Sequence, residues 1–196
     1  KPELLVALTE FHALAGFRPL AQTVELLRDL NVPELAPQCK ALAAALPGAD
    51  GASAEVTESA ALREVLGEWL RLTPAEAEKY VAALLKRCEQ LCEEPGIVGE
   101  AARTVVELQQ DYPSDPGILV ALLLNRLSLQ PGEAVFLAAG QLHAYLKGMG
   151  VEVMANSNNV LRGGLTAKHM DVAELLTILD ASPLAEPRCE VCAGDG

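Results

Sequence analysis

Glu3 and, 140 positions later, His143 are the first pair of residues whose types could hold a metal ion. A catalytic zinc needs about three protein donors, so two distant candidates prove nothing by spacing. His143 lies beside Tyr145 on a stretch that alternates apolar and polar residues. On that ground alone, a hydrogen-bonded core histidine accounts for it better than a ligand does. A denser constellation runs from Gln141 to His169, QLHAYLKGMGVEVMANSNNVLRGGLTAKH. It gathers His143, Tyr145, Lys147, Glu152, Asn156, Asn159, Arg162 and Lys168 within roughly one hairpin. Gly163 and Gly164 let backbone approach a ligand closely. Arg162 and Lys168 beside such a turn have the chemistry to bind a phosphate. The plain alternative is a hairpin with solvated charges, and so many polar residues between apolar strands weigh against it.

These residues need elements to hold them. Residues 4–17 (LLVALTEFHALAGF) fit both alternation and helical spacing in parts, so periodicity leaves them open. Helices are predicted over 19–30, 33–46, about 59–72, 74–94 and about 97–111, and from Asp115-Pro116 toward Leu129. Residues 48–56, small and acidic, read as a linker or loop. The clearest start signal is Thr73-Pro74-Ala75-Glu76. Thr73 can accept from the Glu76 backbone N–H, Glu76 can reach back, and Pro74 suits the first helical position. Beyond Pro131-Gly132, residues 133–145 alternate as one strand, with Val135, Leu137, Ala139, Gln141, His143 and Tyr145 on one face. Lys147-Gly148-Met149-Gly150 is a turn, Val151 to Ala155 a second strand, and 156–159 a polar loop. Asp171 and Glu174 form a capping box on a last helix. The expected fold class is α+β: a helical block, 19–130, between β pieces at 1–18 and 131–180, followed by a tail, 181–196.

Composition narrows the function. The 196 residues carry a net charge of −12 with no compensating basic stripe, so a nucleic-acid partner is not expected. The same acidity means that any phosphate site must be a local cluster of cations and backbone N–H groups. No apolar run reaches membrane-spanning length, and the start shows no signal-peptide pattern. The chain opens on Lys1 rather than Met and reads as a piece cut at both ends. Five cysteines without regular spacing fit reduced thiols and a cytoplasmic setting. Cys88 and Cys92, one helical turn apart, are expected to pack. Cys189 and Cys192 form a CxxC without a second pair or a redox-fold context, and read as incidental.

The hairpin's residues are specific enough to carry a family resemblance. His143-Ala144-Tyr145-Leu146, Gly148, Glu152, Met154-Ala155, Ser157, Asn159-Val160-Leu161-Arg162, Gly164, Thr166 and Lys168 resemble the signature of the zinc-dependent, type I mannose-6-phosphate isomerases. Lys1-Pro2-Glu3, Gly16-Phe17-Arg18-Pro19, Tyr112-Pro113-Ser114-Asp115 and Pro131-Gly132-Glu133-Ala134 extend the similarity over residues 1–180.

The resemblance implies a cupin-type β jelly roll interrupted by a helical domain. It implies an aldose–ketose isomerase that interconverts mannose 6-phosphate and fructose 6-phosphate through an enediol, expected as a monomer. One zinc is implied, with Glu3 and His143 as two ligands. A Gln and a further His are implied in a Gln-x-His segment upstream of Lys1, so the chain alone is expected to show weak activity or none. Arg162 and Glu152 are the implied catalytic residues, with Glu152 as the candidate base. Lys1, Tyr145 and Lys168 are the implied substrate contacts. Asn158 stands where the family has Asp, which puts any proton-transfer role there in doubt, and Ala167 replaces a Pro. A non-catalytic sugar-phosphate-binding or regulatory protein on the same scaffold is therefore the alternative. An all-α interaction module with a β tail is a third reading, carried by residues 19–130 alone.

Overall fold

The computed structural model describes residues 1–47, 54–157 and 160–189, with only the backbone of 54–56. The open stretch 4–17 is two strands, β1 (Glu3–Ala7) and β2 (Phe11–Phe17). Helices α1 (Leu20–Leu30), α2 (Ala36–Ala44), α3 (Ala54–Leu70), α4 (Pro74–Leu91), α5 (Gly96–Asp111) and α6 (Gly117–Ala121) follow, with a 3₁₀ turn at Pro33–Leu35 before α2. The chain then returns to strands β3 (Leu124–Leu129), β4 (Ala134–Leu137), β5 (His143–Lys147) and β6 (Gly150–Met154). It closes with α7 (Val172–Ile178) and the short β7 (Arg188–Cys189). The α+β expectation holds. Of the expected loop at 48–56, residues 48–53 lie outside the described residues, and α3 starts at Ala54.

Two antiparallel sheets form the β part. One runs β6-β1-β4-β7 and the other β3-β2-β5. The chain changes sheet between β1 and β2 and at each step from β3 to β6, while β2 and β3 share a sheet, as do β6 and β7. The β1–β2 and β5–β6 corners interlock: the N–H groups of Leu8 and Thr9 donate to the Met149 carbonyl at 2.8 and 3.2 Å, and Met149 N–H donates to Thr9 Oγ1 at 2.9 Å. Gly148, at φ +115°, makes this possible, because a Cβ there would stand 2.5 Å from the Glu10 carbonyl oxygen. Between the layers lie Leu5, Ala7, Phe11, Ala13, Ala15, Leu127, Leu129, Val135 and Leu137.

Two sequence expectations need correction. The alternating run 133–145 is two strands in different sheets. Val135 and Leu137 do point into the sandwich, but Ala138–Leu142 cross to the other layer. Gly140 at φ +88° turns the crossing, and Gln141 Oε1 accepts the Ala138 N–H at 2.9 Å. Alternation registers which side a residue takes along a straight strand, and it is blind to a strand that changes sheets. The helix expected from Asp115 toward Leu129 ends at Ala121, and β3 takes over at Leu124. Residues 117–124 are buried on every side, so no apolar–polar rhythm separates helix from strand there.

The helices surround a second, larger core of aliphatic side chains with Trp69 fully buried at its centre. Thr73 and Glu76 make the complete capping box at the start of α4. Asp171 accepts from the Glu174 N–H at 2.9 Å at the start of α7, the first half of the expected box. Arg18 joins the two parts: its Nη1 donates to the Leu122 carbonyl at 2.9 Å and its backbone N–H to Leu123 at 2.8 Å. Burial lowers the Arg18 pKa to about 10, against the opposing pull of Glu100, so the guanidinium stays charged at neutral pH.

Candidate active site

Glu3 sits on β1 between β4 and β6, opposite Leu137 on one side and Met154 on the other. Its strand neighbour Leu4 faces outward, which leaves the Glu3 side chain 11% exposed and turned toward the other sheet. His143 begins β5 in that other sheet, opposite Ala15. The small alanine leaves room for the imidazole. Glu3 Oε2 and His143 Nε2 meet across the layers at 3.0 Å.

The ring's other nitrogen decides what that contact can do. His143 Nδ1 lies 3.0 Å from the Gln141 carbonyl oxygen. A carbonyl can only accept, so Nδ1 carries the proton and donates. Nε2 then faces a carboxylate, a second acceptor. A cation shared between the ring nitrogen and the carboxylate would satisfy both acceptors. This is the arrangement by which a backbone carbonyl orients a metal-binding histidine.

Lys1 Nζ lies 3.9 Å from Glu3 Oε1 and donates to the Ser157 carbonyl at 3.2 Å. Tyr145, opposite Ala13, packs its ring edge-on against Phe11 with centroids 5.4 Å apart. Its hydroxyl donates to Glu152 Oε1 at 2.6 Å. Burial raises the Tyr145 pKa, and the bond to Glu152, the Glu152 charge and the Glu3 charge raise it further. The phenol therefore stays protonated and is a fixed donor.

Lys1, Glu3, His143, Tyr145 and Arg162 line one cavity of about 400 Å³. Glu152 joins this group through its bond to Tyr145. Lys168 is exposed and does not line the cavity; its backbone N–H donates to Thr166 Oγ1 at 3.1 Å. Asn158 and Asn159 lie outside the described residues, as does Cys192. Cys189 is on β7, paired with Ala134.

The cavity's far wall is helical. Glu107, Asp111 and Tyr112 of α5 and its end line it, opposite the strands. Sequence reading missed them because a helix face exposed to a cavity has the same composition as one exposed to water. Gln141 was noticed only as a polar residue, and its carbonyl is what fixes His143. Among the described residues there is no group of three or more His, Cys, Asp or Glu side chains placed to hold a metal. Glu3 and His143 have the donor types a zinc takes, and two donors fall short of the roughly three that a catalytic zinc needs.

No protein-family model matches the chain. It is, however, similar over most of its length to curated mannose-6-phosphate isomerases. It is 37% identical to a probable mannose-6-phosphate isomerase of Echinococcus multilocularis, matching 95% of this chain and 45% of the relative. The Escherichia coli mannose-6-phosphate isomerase is 38% identical over 90% of this chain and 40% of its own length. The solved mannose 6-phosphate isomerase of Salmonella typhimurium bound to fructose 6-phosphate and zinc superposes with a TM-score of 0.75 and 35% identity. That match covers 99% of this chain and 46% of the Salmonella chain. In sequence and fold this chain is similar to part of the mannose-6-phosphate isomerases. The helices of this mannose-6-phosphate isomerase relative therefore interrupt portions of a cupin-type jelly roll, as the signature residues imply. The chain spans less than half the length of the curated relatives it matches.

Proposed function

We propose that this chain contributes part of a mannose-6-phosphate isomerase site, which interconverts mannose 6-phosphate and fructose 6-phosphate with one zinc. The observation that carries the reading is the 3.0 Å approach of Glu3 to His143 in a cavity that Arg162 also lines. The fructose 6-phosphate and zinc named for the similar Salmonella structure support it. A zinc ion held there would act as a Lewis acid toward the sugar's carbonyl and hydroxyl oxygens.

The chain's own residues supply the rest. Isomerisation moves a proton between C1 and C2 through an enediol, so negative charge develops on the sugar oxygens. Arg162 offers a guanidinium from the cavity wall to that charge. Glu152 is the proposed base; Tyr145, which donates to it, ties its position to the cavity. Lys1 is placed to attract the anionic substrate while balancing Glu3. Lys168 stands outside the cavity lining, so a role in holding phosphate requires the phosphate to extend past the rim. The β strands form the catalytic portion and the helices an inserted domain in this reading. A monomer in the cytoplasm is the accompanying expectation; no helix among the described residues is long and apolar enough to cross a membrane.

The test is a coupled isomerase assay with zinc on the chain and on a full-length relative. The chain is expected to turn over far more slowly, since it offers two zinc donors, and Arg162→Ala should abolish what activity it has. Isomerase activity retained in Arg162→Ala would remove Arg162 from the site, and no isomerase activity in the full-length relative would remove the reading.

A further inference from the structure

Asp115 lies between α5 and α6, yet two of the three bonds its carboxylate accepts come from a segment some fifty residues further on. Its Oδ1 accepts the Gly117 N–H at 2.7 Å and the Leu165 N–H at 3.0 Å, and its Oδ2 accepts the Thr166 N–H at 3.4 Å. The first bond closes the entry to α6. The other two bind the loop that carries Arg162.

The two backbones are in direct contact at this point. A Cβ on Gly117 would stand 2.6 Å from the Leu165 nitrogen, and one on Gly164 would stand 2.5 Å from the Gly117 Cα. Gly164 itself has φ +105°. Leu165 follows at φ +51°, a left-handed conformation that an L residue holds only when its surroundings impose it. Backbone N–H groups bonded to a carboxylate make charge-assisted hydrogen bonds, stronger than neutral ones. The carboxylate holds the Leu165 and Thr166 N–H groups in that conformation.

We propose that Asp115 is a positioning residue: its carboxylate pins the Arg162–Thr166 loop to the start of α6 and so sets where the Arg162 guanidinium stands in the cavity. The helical block acts here as a fixed support for a loop of the β part. That Arg162 serves a reacting sugar rests on the function proposed above; that Asp115 fixes its place is a separate matter.

The test uses the full chain with Asp115→Ala and Asp115→Asn. Two quantities are read: amide hydrogen exchange at Leu165 and Thr166, and phenylglyoxal labelling of Arg162 relative to the exposed Arg28. In Asp115→Ala both amides should exchange at least tenfold faster, and Arg162 labelling should change at least threefold while Arg28 stays constant. A merely structural loss would move both arginines together. In Asp115→Asn the remaining carbonyl oxygen still serves Gly117 and Leu165, so only Thr166 should accelerate. A folded Asp115→Ala with unchanged Arg162 labelling overturns the proposal. Should Asp115→Ala fail to fold, unchanged Thr166 exchange in Asp115→Asn overturns it. Fructose 6-phosphate added to the wild-type chain should slow Arg162 labelling; no slowing counts against the proposed function and leaves the Asp115 result standing.

Discussion

The helical block and the two-sheet sandwich are built from similar apolar residues but depend on them differently. The helices close around a continuous core that includes Leu26, Leu62, Leu66, Trp69, Leu84 and Ile118, all fully buried. The sandwich has nine core residues, three of them alanine. Its outer face leaves Leu4, Phe136, Val151 and Val153 exposed, at 36%, 48%, 50% and 64%. Buried apolar area scales with stabilisation at roughly 25 cal/mol per Å². The larger core, which also takes in Leu14 and Phe17 of β2, should hold the greater share of stability, while hydrogen bonds fix single side chains around the cavity. Those are the bonds that place the site: Gln141 to His143, Tyr145 to Glu152, Asp115 to the arginine loop. Stability resides mainly in one region and chemistry in the other.

Core truncations test this contrast most strongly. Trp69→Ala should cost about 3–5 kcal/mol in urea unfolding. Leu137→Ala, in the thinner core, should cost about 2–3 kcal/mol. Equal losses would mean that the sandwich core is as close-packed as the helical one. Zinc sharpens the contrast from the other side. At a hundred times its dissociation constant, zinc should stabilise the chain by about 2.7 kcal/mol. His143→Ala should remove that gain with little change in metal-free stability. A large metal-free loss would make His143 a core residue, as its spacing alone implies. Smaller still, Thr73→Ala should cost about 1 kcal/mol by removing the cap of α4, without altering zinc binding.

A separate effect concerns pH. Burial pushes the Cys88 thiol up to about 12, with Cys92 adding to the rise. The unfolded thiol ionises near its ordinary value, so between roughly pH 9 and 12 the folded chain holds a proton that the unfolded chain has lost. Stability should fall as pH rises through that window and should not depend on Cys88 below it. Urea midpoints at pH 8 and pH 10.5, with Cys88→Ala as the control, check the sign; a midpoint drop equal in the variant would assign it elsewhere.

Local chemistry was legible in the sequence wherever neighbours in the chain make it. The Thr73–Glu76 box follows from a spacing of three residues, and the structure forms it with both bonds. The helices from Leu20 to Asp111 followed from periodicity and from Pro and Gly stops. Long-range pairs were not legible in the same way. Nothing in the spacing of Glu3 and His143 joins them; only the resemblance did, and the sandwich then brings them to 3.0 Å. Asp115 was read as a helix opener because its partners are backbone N–H groups, which every residue but proline offers and no pattern marks. The break at Ala138–Leu142 was hidden because alternation continued across it.

Calorimetric zinc titration of the chain puts the convergence of Glu3 and His143 to its most direct test, with Cys189→Ser and Cys192→Ser together as background to silence the terminal thiols. One zinc per chain should bind, and Glu3→Gln and His143→Ala should each weaken it at least tenfold. Equal zinc affinity in all three proteins would contradict the account.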